Sequence, residues 1–366
     1  MKKNLFRTSI LLMALFFAFL AVFGTVVKAQ DNSTPQIGMI LAGSLGDQSF
    51  ADAAFSGLKA AERQYNISYD YVEAPPGAVE EYGRIARGMA KRGKYDLIIA
   101  ESSFAAEPVK EVSKDFPDQE FMVIDAVVED RPNVASIIYK QNEGSFLVGV
   151  IAGIVTEMEM EKTNPAAKVG FVGGMEIPVI KDFYLGYEAG AKWANPDIEV
   201  VAKYVGSFDD VSGAKEAALS MIANKVDIIF HAAGQSGLGV FEASAEENTL
   251  AIGVDSPQAF LEPDHIITSM VKRVEASVID TARALSEGVF EPGSIYVYGV
   301  ETGVGPSGIA GMGESTSAVT LPEPEKVLEK VDEAREKILA GEIEVPGSLP
   351  WTDYEQEGLR YPWYRG

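Results

Sequence analysis

Residues 37–50 read IGMILAGSLGDQSF, and this stretch decides the fold class. Its first five residues, 37–41, form a short apolar run, as expected for a strand that is covered on both faces. The glycine-rich turn Gly43–Gly46 follows, and the residues from about Ser49 to Tyr65 then predict a helix. A strand, a glycine turn and a helix in this order indicate the first unit of a parallel α/β sheet.

The same pattern continues along the chain and then starts again. In the first copy, further strands are predicted at 67–72, 95–100, 121–125 and 134–139, with helices at 78–92 and 105–115. In the second copy, strands are predicted at 168–172, 199–205, 226–232 and 249–254, with helices at 181–194, 212–223 and 238–246. The pattern therefore predicts two doubly wound, Rossmann-like α/β lobes whose ligand site lies outside the carboxyl ends of the strands.

Composition limits the class of partner. The chain has 366 residues with a net charge of −23, and its first 29 residues hold four basic and no acidic side chains. The remainder, roughly 337 residues, carries 27 basic and 54 acidic residues, a net charge of −27. Such acidity argues against a nucleic-acid partner, because phosphate binding relies on basic side chains. The length favours two domains.

The amino terminus predicts export. Lys2, Lys3 and Arg7 precede an apolar stretch from about Ile10 to Val27, and Val27-Lys-Ala29 places small residues where a signal peptidase cleaves. We expect a signal peptide over residues 1–29, with a retained membrane anchor as the alternative. The chain has no cysteine, so it forms no disulfide and takes no lipid through a cysteine. We therefore expect an exported protein at the periplasmic or extracellular face of the cell membrane.

A search for catalytic sets finds weak support for an enzyme. The chain has two histidines, His231 and His265, and no His-Glu-x-x-His zinc motif. The sequence from Gly234 to Gly239 misses the dinucleotide fingerprint, and no Gly-x-Ser-x-Gly elbow joins a strand to a helix. We expect no catalytic residue, no metal and no cofactor. A nucleoside-processing enzyme stays the less favoured alternative.

Polar and aromatic residues instead follow the predicted strand ends. The segments that carry them are 43–50, 204–210, 233–237 and 253–258, together with Asp125 and the later segment 268–272. These signatures, in this order, resemble the basic-membrane-protein family of ABC-transporter substrate-binding proteins, the group that contains the purine nucleoside receptors. The resemblance covers about Gln36 to Gly308.

The resemblance implies a type I periplasmic-binding-protein fold with a hinge of three crossovers, near Gln141, Ser269 and Glu301. The expected domains are residues 36–141 plus 269–300 for lobe 1, 142–268 plus 301–345 for lobe 2, and 346–366 for a C-terminal cover segment. The implied function is a monomeric receptor that closes around a purine nucleoside and passes it to the permease of an ABC importer. A riboflavin-like ligand and a sensory role are the alternatives within this fold.

The resemblance also implies site residues. Two rings, Phe50 and Phe208, would sandwich the base, whose flat faces gain stacking energy from them. Asp125, Asp255 and Lys272 would hold the ribose, because a carboxylate forms strong charge-assisted bonds to hydroxyls. Burial in the core is the alternative for the phenylalanines, and capping of a following helix or turn is the alternative for the aspartates.

Two further features complete the predicted site. Asp47 or Gln48 would face the polar edge of the base, although Asp47 could equally cap the helix that starts at Ser49. Gly234 would let the backbone approach the ligand closely or close the turn tightly.

Overall fold

The structure, a computed structural model, describes residues 34–310 and 315–351. The predicted leader, residues 1–29, and most of the predicted cover segment, 346–366, lie outside these ranges. Within the described ranges, twelve strands and nine α-helices alternate along the chain. None of the helices in this part of the chain is long and apolar enough to cross a membrane.

The first lobe is built on a fully parallel sheet of six strands. Its strands are β1 (Gln36–Ala42), β2 (Ser68–Ala74), β3 (Leu97–Glu101), β4 (Glu120–Ile124), β5 (Val134–Tyr139) and β11 (Ile295–Tyr298), in the spatial order β11-β5-β4-β3-β1-β2. Its helices are α1 (Phe50–Tyr65), α2 (Val79–Ala90), α3 (Ala106–Asp115) and α8 (Val274–Ser286). Side chains alternate between the two faces of the sheet, so Met39 and Leu41 pack with α1 while Ile40 packs with α2.

The second lobe repeats this arrangement. Its strands are β6 (Lys168–Gly173), β7 (Glu199–Tyr204), β8 (Ile228–Ala232), β9 (Leu250–Asp255), β10 (Ile266–Lys272) and β12 (Val304–Pro306), in the order β12-β10-β9-β8-β6-β7. Only β12 runs antiparallel to its neighbour in this sheet. The helices are α4 (Gln141–Val155), α5 (Pro178–Ala194), α6 (Val211–Ala223), α7 (Leu238–Glu246) and α9 (Pro324–Leu339). The predicted fold of two doubly wound lobes is therefore confirmed.

The chain crosses between the lobes three times. It leaves the first sheet after β5 and enters α4 at Gln141, and it crosses again between β11 and β12. The middle crossover differs from the predicted one near Ser269. β10 pairs with β9 as far as Val271 and with β12 at Lys272, so these residues belong to the second sheet. The chain therefore returns at about Arg273, and the predicted segment 269–300 begins four residues too early.

Helices α4 and α5 approach so closely that their backbones touch. A Cβ atom added to Gly186 would lie 2.0 Å from the carbonyl oxygen of Asn142, and one added to Gly190 would lie 2.0 Å from that of Phe146. Only glycine fits such a contact, which is shorter than any contact made by a real Cβ atom. The close contact fixes α5, whose first turns form one wall of the cavity described next.

Candidate ligand-binding site

A cavity of about 430 Å³ lies between the lobes, within the size range of small-molecule sites. In both lobes its wall consists of residues at or just after the carboxyl ends of strands, together with the first turns of α5. The lining residues of lobe 1 are Ala42, Gly43, Ser44, Asp47, Phe50, Glu73, Ala74, Pro75, Pro76, Ser102, Ser103, Phe104 and Asp125. Those of lobe 2 are Ile177, Val179, Ile180, Phe183, Phe208, Asp209, Ala232, Gly234, Gln235, Val254, Asp255 and Lys272.

Seven of the eight predicted site residues line this cavity, and Gln48 does not. The backbone carbonyl of Gln48 instead accepts a hydrogen bond from Gln258 Nε2 of the second lobe, at 2.9 Å. Of the predicted pair, Asp47 or Gln48, Asp47 is the residue that lines the cavity. Gln48 adopts a positive φ of 55° between the glycine turn and α1.

Asp47 caps the helix. Its carboxylate accepts hydrogen bonds from the amides of Ser49, Ala51 and Asp52 at 2.9, 3.0 and 3.1 Å. Burial raises the pKa of Asp47, and these amide bonds lower it in part. Asp47 also lines the cavity. Because its carboxylate is taken up by these three amides, its main role in the site is to fix the start of α1.

Phe50 and Phe208 reach the cavity from opposite lobes. Phe50 is the first residue of α1, so the Asp47 cap directly sets its position. Phe208 follows β7 and packs against Gly174, where an added Cβ would lie 2.4 Å from the phenyl ring. Gly234 also borders Phe208, and its φ of +54° is a conformation that glycine adopts without strain. Both rings therefore border the same cavity, one from each lobe.

Lys272 and Asp125 form a buried ion pair across the cleft. Lys272 Nζ lies 2.6 Å from each carboxylate oxygen of Asp125, and the lysine side chain is 2 % exposed. Three aromatic rings surround the ammonium: Nζ lies 5.0 Å from the ring centroid of Phe50, 4.9 Å from that of Tyr139 and 5.5 Å from that of Phe183. The faces of the three rings attract the Lys272 ammonium, and the carboxylate of Asp125 compensates the loss of water around it.

Asp255 lies opposite, at the end of β9. Ser49 Oγ donates a hydrogen bond to Asp255 Oδ2 at 2.5 Å, which links the two lobes again. Burial raises the pKa of Asp255 to about 6, while nearby Lys272 and the Ser49 hydroxyl lower it in part. Asp125 and Asp255 both have positive φ, 74° and 62°, a left-handed backbone that is uncommon for residues other than glycine, although aspartate adopts it more readily than most.

Several residues of the cavity wall were not predicted. Ser102, Ser103 and Phe104 follow β3, so the strand-end rule that found Asp125 would also have found them. Phe183 lies inside the first turns of α5 and carries no sequence signal that separates it from a core phenylalanine. Among the described residues, no group of three or more histidine, aspartate or glutamate side chains could hold a metal ion.

Neither histidine lines the cavity. His231 is fully buried at the end of β8, where it packs edge-on against Phe241 with ring centroids 4.9 Å apart. Burial lowers the pKa of His231 to about 4, so the ring is neutral. His265 Nδ1 lies 2.9 Å from the carbonyl oxygen of Thr249.

The chain is similar to known proteins in both sequence and structure. Residues 34–348 match the family described as "ABC transporter substrate-binding protein PnrA-like". Basic membrane protein A1 of Borrelia garinii subsp. bavariensis is 32 % identical over 92 % of this chain and 96 % of its own length. The CD4+ T-cell-stimulating antigen of Listeria monocytogenes is 34 % identical, over 83 % of this chain and 85 % of its own. The crystal structure of an ABC-transporter solute-binding protein from Aeropyrum pernix superposes with a TM-score of 0.75 at 30 % identity, covering 86 % of this chain and 94 % of that one.

Proposed function

Because this chain belongs to the PnrA-like family of ABC-transporter substrate-binding proteins, we propose that its cleft binds a purine nucleoside. The family consists of non-enzymatic, extracytoplasmic receptors that bind a small-molecule solute and work with ABC-transporter components. The proposal concerns which solute this receptor takes, and the closing of its lobes would deliver that solute to the permease.

One observation carries the proposal: two phenylalanines from opposite lobes and a carboxylate–lysine set line one cavity. Phe50 and Phe208 offer flat apolar faces to a base, and stacking contributes about 1–3 kcal/mol per base. Asp125 and Asp255 are acceptors for sugar hydroxyls, and a bond to an ionised carboxylate is stronger than a neutral one. A ligand with a flat ring at one end and vicinal hydroxyls at the other satisfies both halves of the cavity.

The proposal is tested by calorimetric titration of the purified protein with inosine, guanosine and adenosine. Ribose, hypoxanthine and riboflavin are titrated in parallel. We expect a nucleoside to bind at least a hundredfold more tightly than its free base or free sugar, because neither fragment fills both halves of the site. Binding of ribose alone, or of riboflavin in preference to every nucleoside, would overturn the proposal.

We further propose that the protein acts as an exported monomer that is free or tethered by its own leader. The absence of cysteine supports this, because a lipid cannot be attached through a cysteine thiol. Amino-terminal sequencing of the protein from the cell surface distinguishes the two forms. A chain that begins at Gln30 indicates a cleaved leader, and one that begins at the initiator methionine indicates a tether.

A further inference from the structure

A glutamate that does not line the cavity lies directly beneath it. Glu101 is the last residue of β3 and has no exposed surface. Its Oε2 atom accepts a hydrogen bond from the amide of Ala42, the last residue of β1, at 3.2 Å. Its Oε1 atom is buried and has no hydrogen-bond partner among the described residues. Ala42, whose amide the carboxyl binds, and Ser102, the next residue in the chain, both line the cavity.

The charges around Glu101 leave it without a counterion. Lys272 is already paired with Asp125 at 2.6 Å, and Asp47 is held by three backbone amides. Asp255 receives the hydroxyl of Ser49. The only hydrogen bond of the Glu101 side chain within the described residues is the one from the amide of Ala42. An uncompensated charge in such a buried position is costly, which favours the neutral acid.

Titratable groups surround Glu101, and the aspartates among them act in the same direction as burial. These groups come from both lobes: Asp47 after β1, Tyr82 on α2, Asp125 after β4, Tyr139 on β5, Asp255 on β9 and Lys272 on β10. Burial, followed by the three neighbouring aspartates, raises the pKa of Glu101 well above its usual value, although the Ala42 amide opposes this. The same burial raises the pKa of Tyr139, so neither tyrosine adds a charge near neutral pH.

We propose that Glu101 is a positioning residue for ligand binding that is held in its protonated form beneath the cavity. Its carbonyl oxygen fixes the amide of Ala42, and the proton on its other oxygen removes one negative charge from the neighbourhood of the three aspartates. Fixing Ala42 fixes the glycine turn, which leads to the Asp47 cap and to Phe50 at the start of α1. A neutral Glu101 also adds no negative charge beside Asp125 and Asp255, which line the cavity as acceptors for the hydroxyls of a ligand.

The experiment compares Glu101→Gln with Glu101→Leu. Glutamine keeps the carbonyl acceptor for Ala42 and supplies an N–H donor without a charge, whereas leucine has a similar volume and neither group. Infrared difference spectroscopy at neutral pH, wild type minus Glu101→Gln, should show the carbonyl stretch of one protonated carboxylic acid. Amide hydrogen exchange should show Ala42 protected in the wild type and in Glu101→Gln, and exposed in Glu101→Leu.

Affinity for inosine supplies the functional readout. We expect Glu101→Leu to bind at least tenfold more weakly than the wild type and Glu101→Gln to recover most of that loss. Asp227→Asn is the control, because Asp227 is a buried carboxyl that binds Thr156 and Asn164 at the opposite end of β8. This control should bind inosine like the wild type.

Two results would overturn the proposal. Absence of the carboxylic-acid band would mean that Glu101 is ionised, and wild-type affinity in Glu101→Leu would mean that it positions nothing. The proposal rests on the proposed function only for its choice of inosine as probe. If the wild type does not bind inosine, the nucleoside assignment fails, while the infrared band and the exchange of Ala42 still decide the role of Glu101.

Discussion

Two aspartates at matching places in the two lobes share an unusual backbone conformation. Asp125 follows β4 with φ of 74°, and Asp255 ends β9 with φ of 62°. A residue in this region costs about 1–3 kcal/mol relative to ordinary backbone, although aspartate tolerates it better than most residues. Both carboxylates line the cavity, so this cost is consistent with placing two acceptors against a ligand.

The first prediction concerns the pH dependence of binding. Because burial raises the pKa of Asp255 to about 6, this carboxyl is ionised above that pH and neutral below it. If the ligand donates a hydroxyl to the ionised form, affinity for inosine should be constant above pH ~7 and fall by up to about tenfold per pH unit below pH ~6. Calorimetry between pH 5 and pH 8 measures this profile.

Two variants test whether Asp255 causes this profile. Ser49→Ala removes a hydrogen bond that favours the ionised carboxylate, so the fall in affinity should begin at a higher pH. Asp255→Asn cannot ionise, so it should bind more weakly and lose this part of the pH dependence. A wild-type profile that is flat from pH 5 to pH 8 would contradict the assignment.

The second prediction concerns the two rings. Phe50→Leu and Phe208→Leu each keep an apolar side chain and lose the flat face. Each should therefore weaken inosine binding by about 1 kcal/mol, or roughly fivefold, while ribose binding changes little. Phe116→Leu is the control, because Phe116 packs in the lobe 1 core away from the cavity. Equal affinity in all four proteins would show that the rings do not stack on the ligand.

Sequence reasoning found the cavity residues that follow strands and missed those that do not. Asp125, Phe208 and Asp255 all come at or after the carboxyl end of a strand, where the fold class alone places the ligand. Gln48 follows the same rule, yet it is not among the residues that line the cavity. Glu101 ends an otherwise apolar strand, and no sequence pattern indicated that its carboxyl is buried.

At the scale of elements, α4 is a helix that hydrophobic periodicity does not predict. Thirteen of its residues are buried, because α5, α9 and β12 cover it on several sides. Without an exposed polar face it has no amphipathic pattern, and the sequence assigned no element to this segment. The sequence also did not predict that β10 belongs to the second sheet as far as Lys272, because an apolar run does not indicate which sheet it joins. Long amphipathic helices such as α1 were found to within one or two residues.

The third prediction tests the backbone contact between α4 and α5. Alanine is favoured over glycine in a helix by about 1 kcal/mol. At Gly186, however, the new Cβ would lie 2.0 Å from the Asn142 carbonyl oxygen, so the helices must separate. Since overpacking costs about 1–3 kcal/mol and here meets backbone, we expect Gly186→Ala to lower the free energy of unfolding by about 2 kcal/mol.

Gly88→Ala is the matched control. Gly88 lies in α2, and a Cβ atom there would meet nothing within 4 Å. It should gain about 0.5–1 kcal/mol from helix propensity alone. Urea unfolding measures both variants. Gly186→Ala should also bind inosine more weakly, since a displaced α5 moves Phe183 in the cavity wall. A Gly186→Ala protein as stable as the wild type would refute the steric argument.

At the scale of the whole molecule, the two sheets have equivalent strand orders and face each other across one cavity. Within residues 34–310 and 315–351, three polar contacts join the lobes there: Lys272 with Asp125, Ser49 with Asp255, and Gln258 with the carbonyl of Gln48. Only the first neutralises a charge. If the lobes open and close about their three crossovers, the ion pair forms on closure, together with burial of the other carboxylates of the site.

The last prediction follows from this charge balance. Lys272→Met leaves Asp125 and Asp255 facing each other without a cation, and an unpaired buried charge costs about 3–5 kcal/mol. That cost falls on the closed form alone, because an open cleft hydrates both carboxylates. A shift of this size reduces the closed population more than a hundredfold. The variant should therefore stay open when inosine is added, while each lobe keeps its fold.

Measuring the distance between the lobes shows whether Lys272→Met closes when inosine is added. The chain has no cysteine, so Glu107→Cys and Ser212→Cys introduce two unique, exposed labelling sites at the starts of α3 and α6, one in each lobe. Electron–electron distance spectroscopy should show inosine shortening the label separation in the wild-type background and not in Lys272→Met. Lys215→Met, which removes a lysine paired with Glu242 and Glu246 inside the second lobe, should close like the wild type. Normal closure of Lys272→Met would mean that the aspartates of the closed site are neutralised by protons and not by the lysine.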